Sequence, residues 1–293
     1  RSLRLMLMRR LVSADLELTL SEGHAQLAFM IAVARVPGLA IDEKLTIMLG
    51  EELINPTEIP APHHGVIHSI DVDPGFAGTP LTVNYRATVD TNWDELAAAH
   101  DDAEGEEIVG DAGGPVDLLM YLRPSRYAES DRFLGTARAE FGGLRGRELV
   151  LAVAAWVNQH LRYSPGMSRP TDGAIETLLA RQGVCRDYAH VVVAILRSLD
   201  VPARLAAVYA PGLFPMDFHA VAEAWVDGGW HVVDATRLAP RHTLLRIATG
   251  RDASDTAFLS NYGSRLTLDR MKVLATAEPF LPPDDHTAML RIP

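Results

Sequence analysis

Cysteine is nearly absent: the chain of 293 residues holds one, Cys185. An intramolecular disulfide is thereby excluded, and a reducing compartment is the simplest setting. Basic residues are outnumbered, with Lys+Arg 27 against Asp+Glu 38 and a formal net charge of −11. Such a chain lacks the basic face that a nucleic acid or an anionic membrane would require, so neither is expected as a partner. No run of about 18 apolar residues occurs, so no membrane-spanning helix is expected. The N-terminal RSLRLMLMRRLV has the basic start of a signal peptide. The apolar stretch that should follow is replaced by SADLELTLSEG, which alternates like a strand. The chain reads as soluble and cytoplasmic, with room for a leader removed ahead of its first residue. Internal repeats and low-complexity tracts are missing too.

What is present is core material. Hydrophobic residues make up 48% of the chain, enough at this length for two domains. The first third reads as short strands over 14–20, 25–34, 65–72 and 81–89, separated by Gly, Pro, Asn and Asp, a spacing that predicts a sandwich. Residues 101–115, DDAEGEEIVGDAGGP, read as an exposed acidic loop. After Pro115 the apolar period becomes helical, with helices expected over 129–141 and 146–162. A third is expected over 171–181, opened by Thr171-Asp172 and ended by Gly183, and a fourth starts near Cys185 and stops at Asp200-Val201-Pro202. A strand ARLAAVYA, a hairpin over 219–234 and further strand-like segments complete the chain. The division drawn is 1–115, a β-rich domain, and 116–293, an α+β core with C-terminal strands.

A lone Cys is most often a small buried hydrophobe. The start of a helix changes that reading, because unpaired N–H groups and the helix dipole there favour a thiolate, the form that attacks carbonyls. A nucleophile needs a base, and the base an orienting group. In HAVAEAWVDGGWHVVD, Asp227-Gly228 is a favoured two-residue turn. With Val226 paired to Gly229, Trp225 faces Trp230, Glu223 faces Val232 and Val221 faces Asp234. His219 is then a diagonal cross-strand neighbour of Asp234, about 7–8 Å away between backbone positions. Ala220, Ala222, Ala224 and Val226 form the other face, small enough for close packing on a helix. A turn at Gly228-Gly229 would reverse these relations.

The segments GVCRDYAHVVVAILRSLDVPARLAAVYA and DFHAVAEAWVDGGWHVVDATR resemble the core of the transglutaminase-like superfamily of papain-fold cysteine enzymes. YLRPSRYAES at 121–130 and GRDASD at 250–255 are similar to segments flanking that core in bacterial members. The resemblance implies a papain-like core, its Cys-bearing helix packed on an antiparallel sheet, behind a β-sandwich-like N-terminal domain. It also implies Cys185 as nucleophile, His219 as base and Asp234 as orienting acid. Many members carry Trp two residues after the His, where this chain has Val221. The expected chemistry is attack on an amide carbonyl of a peptide or protein substrate, with an acyl-enzyme and no cofactor or metal. The backbone N–H of Cys185 is the first oxyanion donor, and Gln182 and Tyr163 are candidates for the second. Hydrolysis is favoured; transfer to an amine, or a non-catalytic binding module on the same fold, are the alternatives. The oligomeric state is left open.

Weaker signals have plainer readings. His63, His64 and His68 lie among Pro and Gly without completing a metal site, and read as loop or strand-end residues. His190 faces away from Cys185 on its helix and reads as a packing or surface residue. Arg186 and Asp187 read as local pairs around the helix start, Trp225 and Trp230 as a cross-strand pair, and Arg251-Asp252 as a turn with its own ion pair.

Overall fold

Alternation in LELTL buries Leu16, Leu18 and Leu20 at 1%, 1% and 2% exposure while Glu17 and Thr19 turn outward. That pattern builds the first layer. The computed structural model describes residues 7–21, 23–92 and 115–292. Its first part holds β1 (Leu7–Leu20), β2 (Ala25–Phe29), β3 (Ala40–Leu49), β4 (Glu52–Ile54), β5 (Thr57–Pro60), β6 (Val66–Val72) and β7 (Pro80–Asn92). Then come α1 (Pro115–Met120), α2 (Leu134–Phe141), α3 (Gly146–His160), β8 (Arg162–Tyr163), α4 (Ala174–Ala180), β9 (Gln182–Gly183) and α5 (Cys185–Ser198). The last part is β10 (Ala203–Tyr209), β11 (His219–Val226), β12 (Gly229–Val233), β13 (Leu245–Gly250), β14 (Leu259–Tyr262) and β15 (Leu266–Glu278). The acidic segment read as a loop lies outside the described residues, except for Pro115, which opens α1.

Two antiparallel sheets, ordered β15-β1-β7-β3-β4 and β14-β2-β6-β5, close on one core as the expected sandwich. The division at residue 115 needs correcting at its far end. β15 pairs with β1 and β14 with β2, so residues 259–278 belong to the N-terminal sheets rather than to the α+β core. The reason is an edge: without β15, the long strand β1 would leave a row of backbone groups unpaired. β3 is absent from the expected strands because Asp42-Glu43-Lys44 interrupts its apolar alternation. The charges are tolerated because Glu43 accepts hydrogen bonds from Tyr85 (2.7 Å) and Arg35 (3.0 Å).

A third antiparallel sheet, β12-β11-β10-β13, carries α5 on one face. Ala222, Ala224 and Val226 meet Ala189, Val192, Val193 and Leu196 there, as the small-residue face predicts. α3 packs against the helix and also touches β11 and β12. Residues Asp187 through Arg197 are all buried, so α5 has no solvent face over that length. The sandwich core runs on into this sheet through Tyr209, Leu245, Ile247 and Ala248, and the Tyr209 hydroxyl donates to the carbonyl of Ile31 at 2.7 Å.

The sheet face away from α5 holds a buried charge cluster. Glu223 accepts from Arg204 at 2.7 Å and from both terminal nitrogens of Arg246 at 2.7 Å, all three side chains at 3% exposure or less. Arg204 also lies 4.0 Å over the Trp230 ring. One carboxylate thus joins β10, β11 and β13. Glu223→Ala removes the carboxylate that both guanidinium groups share. It is expected to cost about 3–5 kcal/mol, read as a lower urea midpoint at unchanged m-value.

Candidate active site

Asp187 determines where α5 begins. Its Oδ2 accepts the N–H of Val184 at 2.9 Å, folding back over the helix start and leaving Cys185 as the first helical residue. α4 begins the same way, with Glu176 accepting the N–H of Gly173 at 2.9 Å and Glu129 that of Ala174 at 3.0 Å. Two expectations are corrected here. Thr171-Asp172 does not cap α4, because Asp172 is drawn off to the N–H and guanidinium of Arg169. Gly183 does not end α4 either: Arg181 does, with φ of 53°, and Gly183 lies in β9. Its role is clearance, since a Cβ there would stand 2.6 Å from Oδ2 of Asp187.

The hairpin has the expected register, Trp225 with Trp230 and Glu223 with Val232. Asp227 and Gly228 both take positive φ, 50° and 77°, as a two-residue turn of this kind demands. The Trp225 and Trp230 rings meet edge to face at 5.4 Å. His219 opens β11 and Asp234 follows β12, and Nε2 of His219 lies 2.9 Å from Oδ2 of Asp234. The other carboxylate oxygen accepts the N–H of Thr236 at 2.9 Å and its hydroxyl at 2.6 Å. Asn158 on α3 fixes the next residue, donating to the carbonyl of Ala235 at 2.8 Å. Both side chains of the pair are at 1% exposure or less.

Burial alone would strip His219 of its proton. The charge and hydrogen bond of Asp234, and then contact with Cys185, outweigh burial and raise the ring well above its ordinary pKa. Burial likewise opposes ionisation of Asp234, but His219 and Thr236 together hold its carboxyl below the usual range. Nε2 is committed to Asp234, which leaves the buried Nδ1 to the Cys185 side chain. Cys185, half-buried, touches this ring.

Of the two further candidates, Tyr163 lies against Cys185, and Gln182 is bound through its Oε1 to Arg162. The Tyr163 hydroxyl lies against the backbone N–H of Cys185, and burial, then the nearby Cys185 and Asp217, push its pKa up to about 12. The Gln182 side chain instead accepts from Arg162 at 3.0 Å on the exposed side of the β8–β9 pair. Asp217 was missed in the sequence; its signal was only an acid two residues before His219.

The remaining residues sort themselves by burial. His190 is fully buried, stacked on Tyr127 at 5.2 Å, and accepts the N–H of Ala253 at 3.1 Å; burial pulls its pKa down to about 3. Arg251 pairs with Asp255 rather than with its neighbour. Asp252 is buried and accepts from the backbone of Tyr127 and Ser254, because 250–255 folds inward against 125–127. Arg186 is held by Ser168, the Arg169 carbonyl and Asp187. His63 bonds the Tyr121 hydroxyl and Arg204, and His68 is buried beside Glu58; no metal-binding group of His, Cys, Asp or Glu occurs among the described residues. Val221 is buried against Ala206, Val208 and Leu290.

Residues 136–235 match the family model described as the transglutaminase-like superfamily. A candidate cysteine protease from Cytophaga hutchinsonii, known from its crystal structure, is 30% identical, with 97% of this chain and 96% of that one covered at a TM-score of 0.81. The chain belongs to the transglutaminase-like superfamily. It is also 29% identical over 135 residues to an uncharacterised protein of Mycobacterium leprae, covering 42% of this chain and 47% of the other, about half that relative's length. The periplasmic domain of TgpA from Pseudomonas aeruginosa is a remoter match at 18% identity, 75% and 91% coverage and a TM-score of 0.38. Among the described residues no helix is long and apolar enough to cross a membrane.

Two outcomes follow from this transglutaminase-like site. Gly183→Ala forces Asp187 off the helix start; a loss of about 1–3 kcal/mol in urea unfolding is expected, with slower alkylation of Cys185. The second concerns pH. Because the His219 pKa is raised by folding, its contribution to stability is full below about pH 6.5 and fades as pH climbs through the folded value. The depressed Asp234 contributes above about pH 3.9 and fades as pH falls through its folded value. The stability gap between wild type and Asp234→Asn should therefore be widest between about pH 4 and 6.5 and narrow on the alkaline side.

Proposed function

We propose that this protein is a cysteine hydrolase that cleaves peptide-like amide bonds through Cys185, His219 and Asp234. The observation that carries the reading is a buried histidine, bound through Nε2 to a carboxylate and in contact with a cysteine at a helix start. The likeness to a candidate cysteine protease at 30% identity supports it.

In this mechanism the Cys185 thiol gives its proton to Nδ1 of His219, and Asp234 stabilises the imidazolium through Nε2–H. The thiolate attacks the amide carbonyl carbon, forming a C–S bond and placing negative charge on oxygen. The backbone N–H of Cys185 donates to that oxyanion, and the Tyr163 hydroxyl, already against this N–H, turns to become the second donor. Collapse breaks the C–N bond; the amine leaves with the proton from His219, and a thioester remains. Water then gives a proton back to His219 as its oxygen attacks the thioester, releasing acid and restoring the thiol. Gln182, directed to Arg162, has no part in this scheme. Peptides or proteins are the substrates, and the cytoplasm, suited to a reduced thiol, is the compartment we propose.

The test uses the one thiol. Iodoacetamide labelling of Cys185 should be fast at neutral pH and slow at least about tenfold in His219→Ala. Cleavage of a fluorogenic peptide library should fall by about 10³-fold or more in Cys185→Ala. Labelling at the rate of a free thiol in both proteins would sink the reading.

A further inference from the structure

The segment between β8 and α4 passes Cys185 along one side. β8 runs parallel to β9, Tyr163 beside Gly183, and the N–H of Ser164 donates to the Gly183 carbonyl at 2.9 Å. Four residues on, Ser168 Oγ and the Arg169 carbonyl accept from one terminal nitrogen of Arg186 at 2.7 and 2.8 Å. Gly183 and Arg186 stand on either side of Val184-Cys185, so the segment is fastened before the thiol and again after it. Between these anchors Met167 folds back to the Ser164 carbonyl at 3.2 Å, and the tip Pro165-Gly166-Met167 is exposed, with Met167 at 57%.

The far end is fastened as well. Three successive carbonyls, of Arg169, Pro170 and Thr171, accept from three different side chains: Arg186 at 2.8 Å, the Tyr127 hydroxyl at 2.9 Å and Arg126 at 3.4 Å. Tyr127 is itself immobilised. Its ring stacks on the fully buried His190 of α5 at 5.2 Å, its N–H donates to Asp252 at 2.9 Å, and the Arg186 guanidinium lies 5.8 Å from its ring centre. Arg186 is therefore the one side chain that joins the residue after the nucleophile, the neighbouring segment and the Tyr127 ring. A segment held at so many points, yet bare at its tip, has lost its freedom before a ligand arrives, so binding does not have to order it.

We propose that Arg186 is a positioning residue that holds residues 164–169 as a preformed wall of the substrate cleft, against which a peptide lies while Cys185 attacks it. The proposal rests on Cys185 being the nucleophile. Arg186 acts through the wall and leaves the chemistry of the thiol to His219.

The test separates the wall from the thiol. Cys185 is alkylated with two reagents that share a reacting group, chloroacetone and acetyl-trialanyl chloromethyl ketone, and the peptidyl reagent is followed to saturation. In Arg186→Ala its KI should rise about tenfold, while its limiting rate and the chloroacetone rate stay within about twofold of wild type. Tyr127→Phe loses only the bond to the Pro170 carbonyl and keeps the ring stack, so it reports even if Arg186→Ala does not fold; its KI should rise about threefold. A KI unchanged in Tyr127→Phe and in any folded Arg186→Ala overturns the proposal. A chloroacetone rate that falls as far as the peptidyl rate also overturns it, because Arg186 then supports the thiol and not a wall. Wild type that reacts no faster with the peptidyl reagent than with chloroacetone overturns it too. Failure of the hydrolase reading looks different: no peptide is cleaved, yet KI still shifts in the variants, and the wall stands in a cleft that binds peptides without cutting them.

Discussion

A histidine and a carboxylate removed from water can keep their charges only by facing each other with good geometry and with every remaining oxygen satisfied. His219 and Asp234 meet that demand. One carboxylate oxygen takes the ring nitrogen and the other takes two donors from Thr236. Neither residue of the pair could be placed alone, since an unpaired partner at this depth would shed its charge instead. The surrounding structure follows from this requirement. β11 and β12 bring the pair together, Asn158 holds the chain beyond Asp234, and α5 delivers Cys185 to the one ring nitrogen left open.

Delivery requires a helix whose start is fixed to within a fraction of an ångström. α5 achieves this by being buried through most of its length, so it cannot slide without opening packed alanines and valines on both sides. Its first turn is fixed separately, by Asp187 closing over Val184 and by the absence of a side chain at Gly183. Clamps at α4 and on Arg186 hold the loops around it. The sandwich takes part as well: it shares its core with β10, the strand beside β11, and with β13 beyond it, so the sheet beneath the site is braced from behind.

Much of this was legible in the residues, and the reasons differ from place to place. The hairpin could be read because Asp227-Gly228 permits one favoured turn, and the turn dictates every pair above it. Cys185, His219 and Asp234 could be named because their chemistry is rare in this chain or tied to that register. Local signals misled where another partner outbid them. Asp172 looks like a cap but is bound by Arg169, and Asp252 looks like a surface partner of Arg251 but is buried under the backbone of Tyr127. The return of β14 and β15 to the N-terminal sheets has no local signal at all, because strand pairing across some 250 residues is decided by which edge needs covering. Tyr163 and Gln182 were equal candidates in sequence; in the structure Tyr163 lies against the Cys185 N–H, and the Gln182 carbonyl oxygen is taken by Arg162.

The hairpin serves two masters, and this makes the site hard to lose by small steps. Ala222 and Ala224 pack under α5, while Val221 and Glu223, between and beside them, face the other core and the buried arginines. A slip of one residue would put Glu223 against the valines of α5, leave Arg204 and Arg246 without the carboxylate they share, and part His219 from Asp234 in the same movement. The register that builds the candidate site is therefore the only one that also avoids burying an unpaired charge in the helix interface. Stability and chemistry impose a single constraint here, which explains how a site with no metal or disulfide brace among its described residues holds three side chains in place.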